Sequence, residues 1–173
     1  MEIPGGVPPG PGRTPPPPET AGPGECAATW RYTAPALDRS VPGARQAVRD
    51  LIRRRRVPLH DDALHGLLLI VSELVTNAVQ HAALLSPELA VEVSIGPSWV
   101  KVAVEDDHPC RPRPVRVHAG EEPRTGGRGL LLVQAIVAEA GGRYDVERTA
   151  SGGKVVWAAL PLPPSVTSPP RPR

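Results

Sequence analysis

Glu73-Leu74-Val75-Thr76-Asn77, set inside the apolar stretch from about Asp61 to Leu85, decides how this chain is read. Leu64, Leu67, Leu68, Val71, Leu74, Val75 and Ala78 recur with a 3.6-residue period, which predicts a long helix with Asp61 and Asp62 at its positive end. Glu73 and Asn77 are four apart and share a face, with His81 one turn further on. That face stands apart from the Leu/Val stripe, so it can line a cleft while the stripe packs on other elements. Taken alone, both residues read equally well as solvated helix positions, because Asn in a helix interior costs only about half a kcal/mol against Ala.

Two further segments give the pair a context. Val102-Ala103-Val104-Glu105-Asp106 ends a strand-like run, and Gly126-Gly127-Arg128-Gly129-Leu130 opens a second helix. A carboxylate at a strand end, Asp106, can accept a hydrogen bond from the exocyclic amino group of adenine, where guanine carries an oxygen. Glycines let backbone amides approach an anion, a helix N-terminus adds a favourable dipole, and Arg128 can reach phosphates. Magnesium prefers oxygen ligands and keeps several waters, so the Asn77 side-chain oxygen plus triphosphate oxygens suffice. Glu73, one turn earlier, is placed to take a proton from an attacking water or hydroxyl. Each segment is weak alone; in this order they are the parts of a nucleotide site.

Around them, Thr29 to Thr33 reads as a short strand, and Val41 to Arg55 as a helix with Ser40 as its cap and Pro58 beyond its end. Leu89 to Ile95 and Val100 to Val104 alternate and are joined by Gly96-Pro97-Ser98 as a hairpin. Residues 106–128, with Pro109, Pro112, Pro114 and Pro123, form a long loop of the kind that serves as a lid or binding loop. Leu130 to Ala140 is helical and ends at Gly141-Gly142, and Arg143 to Thr149 with Lys154 to Leu160 make a closing hairpin. Trp30, Trp99 and Trp157 fall on strands and fill the core or a sheet edge. The order predicts an α+β, two-layer sandwich: a mixed, mostly antiparallel sheet with helices on one face.

Composition sets the limits. The 173 residues make one domain rather than two. Nine of the 24 prolines lie in residues 1–24 and six in 161–173. We read 1–24 and 162–173 as disordered tails and 25–161 as the folded unit, because the tails have almost no apolar side chains to offset the entropy of ordering. Within 25–161, 17 Lys and Arg stand against 16 Asp and Glu, a net +1 that gives no support for direct contact with nucleic acid. Only two residues are lysines, Lys101 and Lys154. Cys26 and Cys110 form no C-x-x-C pair, so neither a zinc site nor a disulfide framework is indicated. There is no signal-peptide pattern at the N-terminus, no apolar run reaches the roughly 18 residues of a spanning helix, and a cytoplasmic protein without a membrane segment is the expectation.

Ser72 to Ala82 resembles the N box of the bacterial anti-sigma-factor serine/threonine kinases, a branch of the GHKL superfamily of ATP-binding domains. Gly127 to Val133 is similar to their second glycine box, and Gly153-Lys154-Val155-Val156-Trp157 to their closing strand. The resemblance covers Thr29 to Leu160. It implies a Bergerat fold that binds ATP with Mg2+: Glu73 as general base, Asn77 on the metal, Asp106 on adenine, and Gly127, Arg128, Gly129 and Leu130 in the phosphate-binding lid hinge. It also implies partners, an anti-anti-sigma protein of the STAS type phosphorylated on serine and a sigma factor, and is compatible with a homodimer.

This chain departs from the family at the first glycine box, Asp-x-Gly-x-Gly. Here Asp106 is followed by Asp107-His108-Pro109-Cys110, so His108 and Cys110 put side chains at both glycine positions. The alternative reading is therefore a non-catalytic module that sequesters a sigma factor or related regulator, with weak ATP binding or none. Arg53 to Arg56 reads as a solvated helix end or, more sharply, as a contact for an acidic partner.

Overall fold

A computed structural model describes residues 28–82, 87–109 and 128–163, with the side chains of 81 and 82 left out. Residues 1–27 and 164–173, the centre of the long loop with Cys110 and Gly127, and the His81 side chain lie outside the described residues. Five strands and three helices follow in the order β1 (Ala28–Pro35), α1 (Ser40–Arg54), α2 (Asp61–Ala82), β2 (Glu88–Ile95), β3 (Trp99–Asp106), α3 (Arg128–Glu139), β4 (Arg143–Arg148) and β5 (Lys154–Pro161). They form one sheet of order β1-β2-β3-β5-β4. All four pairings are antiparallel, so the mixed character expected from the sequence is not found among the described residues.

The sheet has one covered and one open face. On β3, Val100, Val102 and Val104 are fully buried; on β5, Val156, Ala158 and Leu160 join them, and the helices pack on these side chains. The other face carries polar and aromatic groups. Arg31 bridges Glu105 (2.6 Å) and Glu92 (3.4 Å) across three strands, and the Trp157 ring lies under Lys101 while its Nε1 donates to Glu147. The alternation of β3 and β5 therefore continues into their ends: Asp106 and Lys154, directly paired in the ladder, both point to the covered face.

The middle helix, α2, is the core of the domain. The predicted stripe is buried, Leu64 partly, and so are Ile70 and Val79 outside it. The extra burial has a physical reason: α2 packs against the sheet, α1 and α3 at once, so one face cannot hold all its contacts. Contrary to the expectation from the sequence, α2 is long and apolar enough to cross a membrane by length and composition; its buried side chains are those of a core helix.

Ser40 does not cap α1. Arg39 holds the N-cap position without a side-chain cap, and Ser40 Oγ instead donates to the Pro35 carbonyl (2.7 Å), tying the β1–α1 corner. Helix α1 ends at Arg54, ahead of Pro58, with Arg53 to Arg56 exposed. Beyond Pro161, Leu162 is still buried and its N–H donates to Ser98 O, so the packed unit extends past the boundary read from the sequence.

Tyr32 on β1 stacks obliquely on Trp30, with ring centroids 4.7 Å apart. Burial pushes its phenol above the ordinary value, and its hydroxyl is buried with no hydrogen-bond partner among the described residues. Removing such a group relieves a desolvation cost. Tyr32→Phe is expected to leave the stability unchanged or raise it by up to about 1 kcal/mol in urea unfolding; a loss above that size would show that the hydroxyl has a partner.

Candidate functional site

The polar strip of α2 faces the start of α3. Glu73 and Asn77 are both half-buried on a helix otherwise packed with apolar side chains. A Cβ built on Gly129 would run into Glu73 Oε2 and lie 3.2 Å from its carboxyl carbon, so the first turn of α3 lies directly against the Glu73 carboxylate, which a side chain there would push aside. That turn carries no acidic side chain, and Arg128 stands exposed at its head. Leu130 is buried and anchors the turn to the core. Three of the predicted elements are thus brought together: the carboxylate, the amide one helical turn away, and the glycine at a helix N-terminus whose N–H groups suit an anion.

Asp106 closes the same covered face from the sheet side. Its side chain is 1% exposed. Lys154 Nζ donates to Asp106 Oδ1 at 2.7 Å, and the backbone N–H of His108 donates to the same oxygen at 2.9 Å. Lys154 is itself 2% exposed, and its Nζ also approaches the His108 carbonyl at 3.5 Å. Gly153 makes this junction possible: a Cβ there would collide with the Asp106 carbonyl oxygen and lie 2.8 Å from Asp107 Cα.

Sequence reasoning placed Asp106 but missed Lys154. The signal was present in the strand Lys154-Val155-Val156-Trp157-Ala158, where the period of two puts Lys154 on the side of Val156 and Ala158. A lysine on the buried side of a strand needs an anionic partner, because an unpaired buried ammonium is too costly.

Among the described residues, no group of three His, Cys, Asp or Glu side chains gathers as a metal site. A groove of about 370 Å³ opens at the other end of α2, between it and α3, lined by Asp62, His65, Gly66, Ile136, Glu139 and Leu160. It touches none of Glu73, Asn77, Asp106, Arg128, Gly129 and Leu130.

Breaking a buried ion pair strands the remaining charge, whereas replacing both partners by apolar groups removes the problem. Asp106→Ala alone is expected to cost about 3–5 kcal/mol in urea unfolding, and the double variant Asp106→Leu/Lys154→Met distinctly less. A double-variant loss equal to the sum of the two single-variant losses would show that the two side chains are not coupled.

Comparison with known proteins places this geometry. No curated protein matches the chain. Among solved structures, it resembles the RsbU and RsbW domains of Rv1364c from Mycobacterium tuberculosis, at 19% identity and a TM-score of 0.55, covering 79% of this chain and 33% of that one. The chain thus spans about a third of that structure's length, and the likeness is one of fold. The mycobacterial sensor histidine kinase MprB aligns at 20% identity with a TM-score of 0.47, covering 77% of this chain and 99% of that one. The model of the histidine kinase-like ATPase domain matches residues 34–160, nearly the whole packed unit, and the chain belongs to that family.

Proposed function

We propose that this chain is an ATP-binding serine/threonine protein kinase of the anti-sigma type, acting in the cytoplasm on a serine of an anti-anti-sigma partner and thereby regulating transcription. The observation that carries this reading is the meeting of Glu73 with Gly129 at the head of α3, with Asn77 on the same strip of α2. A nucleotide lying between α2 and α3 has its phosphates at the α3 N-terminus, within reach of Arg128. The oxygen of Asn77 would supply one ligand to a magnesium ion held otherwise by phosphate and water. Glu73 then serves as the base for the incoming hydroxyl, and Asp106 accepts from the adenine amino group. The family membership supports the ATPase-type domain, and the likeness of Ser72 to Ala82 to the anti-sigma kinase N box supports the finer assignment.

A second reading, a non-catalytic module that sequesters a sigma factor or related regulator, draws on one observation. Asp106 is already engaged by Lys154 and by the backbone of His108, in a segment that carries side chains where the kinases carry glycines.

Calorimetric titration of Mg-ATP separates the two. The kinase reading expects saturable binding by the wild-type chain, weakened at least tenfold in Asn77→Ala, which leaves the buried ion pair intact. It also expects labelled phosphate to pass from γ-labelled ATP to a purified STAS-type protein, and Glu73→Ala to abolish that transfer while ATP binding persists. No binding by the wild type up to millimolar Mg-ATP would overturn the kinase reading and leave the sequestering module.

A further inference from the structure

The groove at the far end of α2 has a chemistry of its own. Half-buried Leu69 and Ile136 and buried Leu160 line it with apolar surface. The two helices meet closely there, with Ile136 Cγ2 3.1 Å from where a Cβ on Gly66 would stand. Asp62 and Glu139 bring exposed carboxylates to the same lining, which holds no Lys or Arg. Neither carboxylate pairs with a cation among the described residues. An apolar groove of about 370 Å³ edged by unpaired carboxylates suits an apolar segment that carries positive charge.

The chain leaves the packed unit at this place. Leu160 lines the groove, Leu162 is still in the core with its N–H on Ser98 O, and Pro163 is the last described residue. The ten residues that follow, Pro164-Ser165-Val166-Thr167-Ser168-Pro169-Pro170-Arg171-Pro172-Arg173, hold four prolines, two arginines and no acid. In polyproline geometry ten residues span about 31 Å. The stretch of α2 along the groove, Asp62 to Leu69, is only about 10 Å long. The segment is thus long enough to turn back and fill the groove, and a proline-rich backbone loses little entropy in doing so.

We infer that residues 164–173 dock in this groove of their own domain, with Pro169 and Pro170 against Leu69 and Ile136 and with Arg171 and Arg173 facing Asp62 and Glu139. The docked segment straps α2 to α3 at the end away from Glu73, so the inference is independent of the nucleotide reading. The other segments outside the described residues suit the groove less well. Residues 1–27 carry Glu2, Glu19 and Glu25 against Arg13 alone, a net negative charge that the groove carboxylates repel. Residues 110–127 hold arginines and prolines, but they leave and re-enter at Pro109 and Arg128, beside Asp106 and Gly129 at the opposite end of α2.

Paramagnetic broadening on the full chain tests the docking. A nitroxide is attached at Ser168→Cys, with Cys26→Ser and Cys110→Ser removing the native thiols, and amide signals are followed in 15N-labelled protein. The signals of Gly66, Leu69, Ile136 and Glu139 are expected to be lost, while those of Arg31 and Glu92 on the open face of the sheet persist. Arg171→Glu with Arg173→Glu is expected to bring the lost signals back, and adding Asp62→Arg with Glu139→Arg to remove them again. Asp62 and Glu139 are exposed, and unchanged signals elsewhere in the spectrum show that each variant is folded. Mixing spin-labelled chain without 15N and 15N-labelled chain without the nitroxide is expected to leave the groove signals intact, which separates a strap within one chain from a second copy. Absent or evenly spread broadening would overturn the inference. So would broadening that survives the charge reversal, fails to return with the compensating pair, or passes between chains in the mixture.

Discussion

The structure depends on one constraint: α2 must bury the wide side that meets the sheet, α1 and α3 at once. Leu67, Ile70, Val71, Leu74 and Val75 are at most 1% exposed, and they face the sheet, α1 and α3 in turn. A helix so enclosed has little room for polar side chains, and each one it keeps needs either solvent or a partner. Glu73 and Asn77 are half-buried on the strip of α2 where the Glu73 carboxylate lies against Gly129 at the head of α3. The packing that stabilises the domain also decides where its polar strip opens.

The sheet supplies the other wall by a comparable economy. Antiparallel pairing with a period of two carries the buried faces of β3 and β5 out to their last residues, where the apolar run gives way to Asp106 and Lys154. Each of these charges alone would be costly at that depth; together they form a neutral unit that the sheet can hold. Such a pair adds little net stability compared with an apolar pair, so its value lies in positioned polar groups. The adjacent His108, with its N–H on Asp106, completes the corner.

Much of the fold was legible in the sequence because it is written in periodicity. The spacing of Ala44, Val48, Leu51 and Ile52 gave α1, the alternation of Val100, Val102 and Val104 gave β3, and the order of elements gave the two-layer sandwich. Ile70 and Val79 escaped because a single stripe was assigned to a helix that packs on three sides. The Ser40 cap escaped because a serine before a helix can equally bond backwards, as this one does to Pro35. Glu73, Asn77, Asp106 and Gly129 stand out as candidates in the sequence, whereas the pairing of Lys154 with Asp106 does not. The partner of Lys154 lies 48 positions earlier, and only the β3–β5 register reveals the pairing. Gly127 and Cys110 lie outside the described residues, so their part in the lid stays an expectation from the resemblance.

We propose that nucleotide binds between α2, the head of α3 and the corner where Asp106 ends β3. The most direct test is a crystal structure of the full chain with magnesium and a non-hydrolysable ATP analogue. The expected structure has the adenine edge on Asp106, the metal on the Asn77 oxygen, and the phosphates at the N-terminus of α3 beside Gly129. Nucleotide seated instead in the groove of Asp62, His65 and Ile136, or bound with its base away from Asp106, would contradict it.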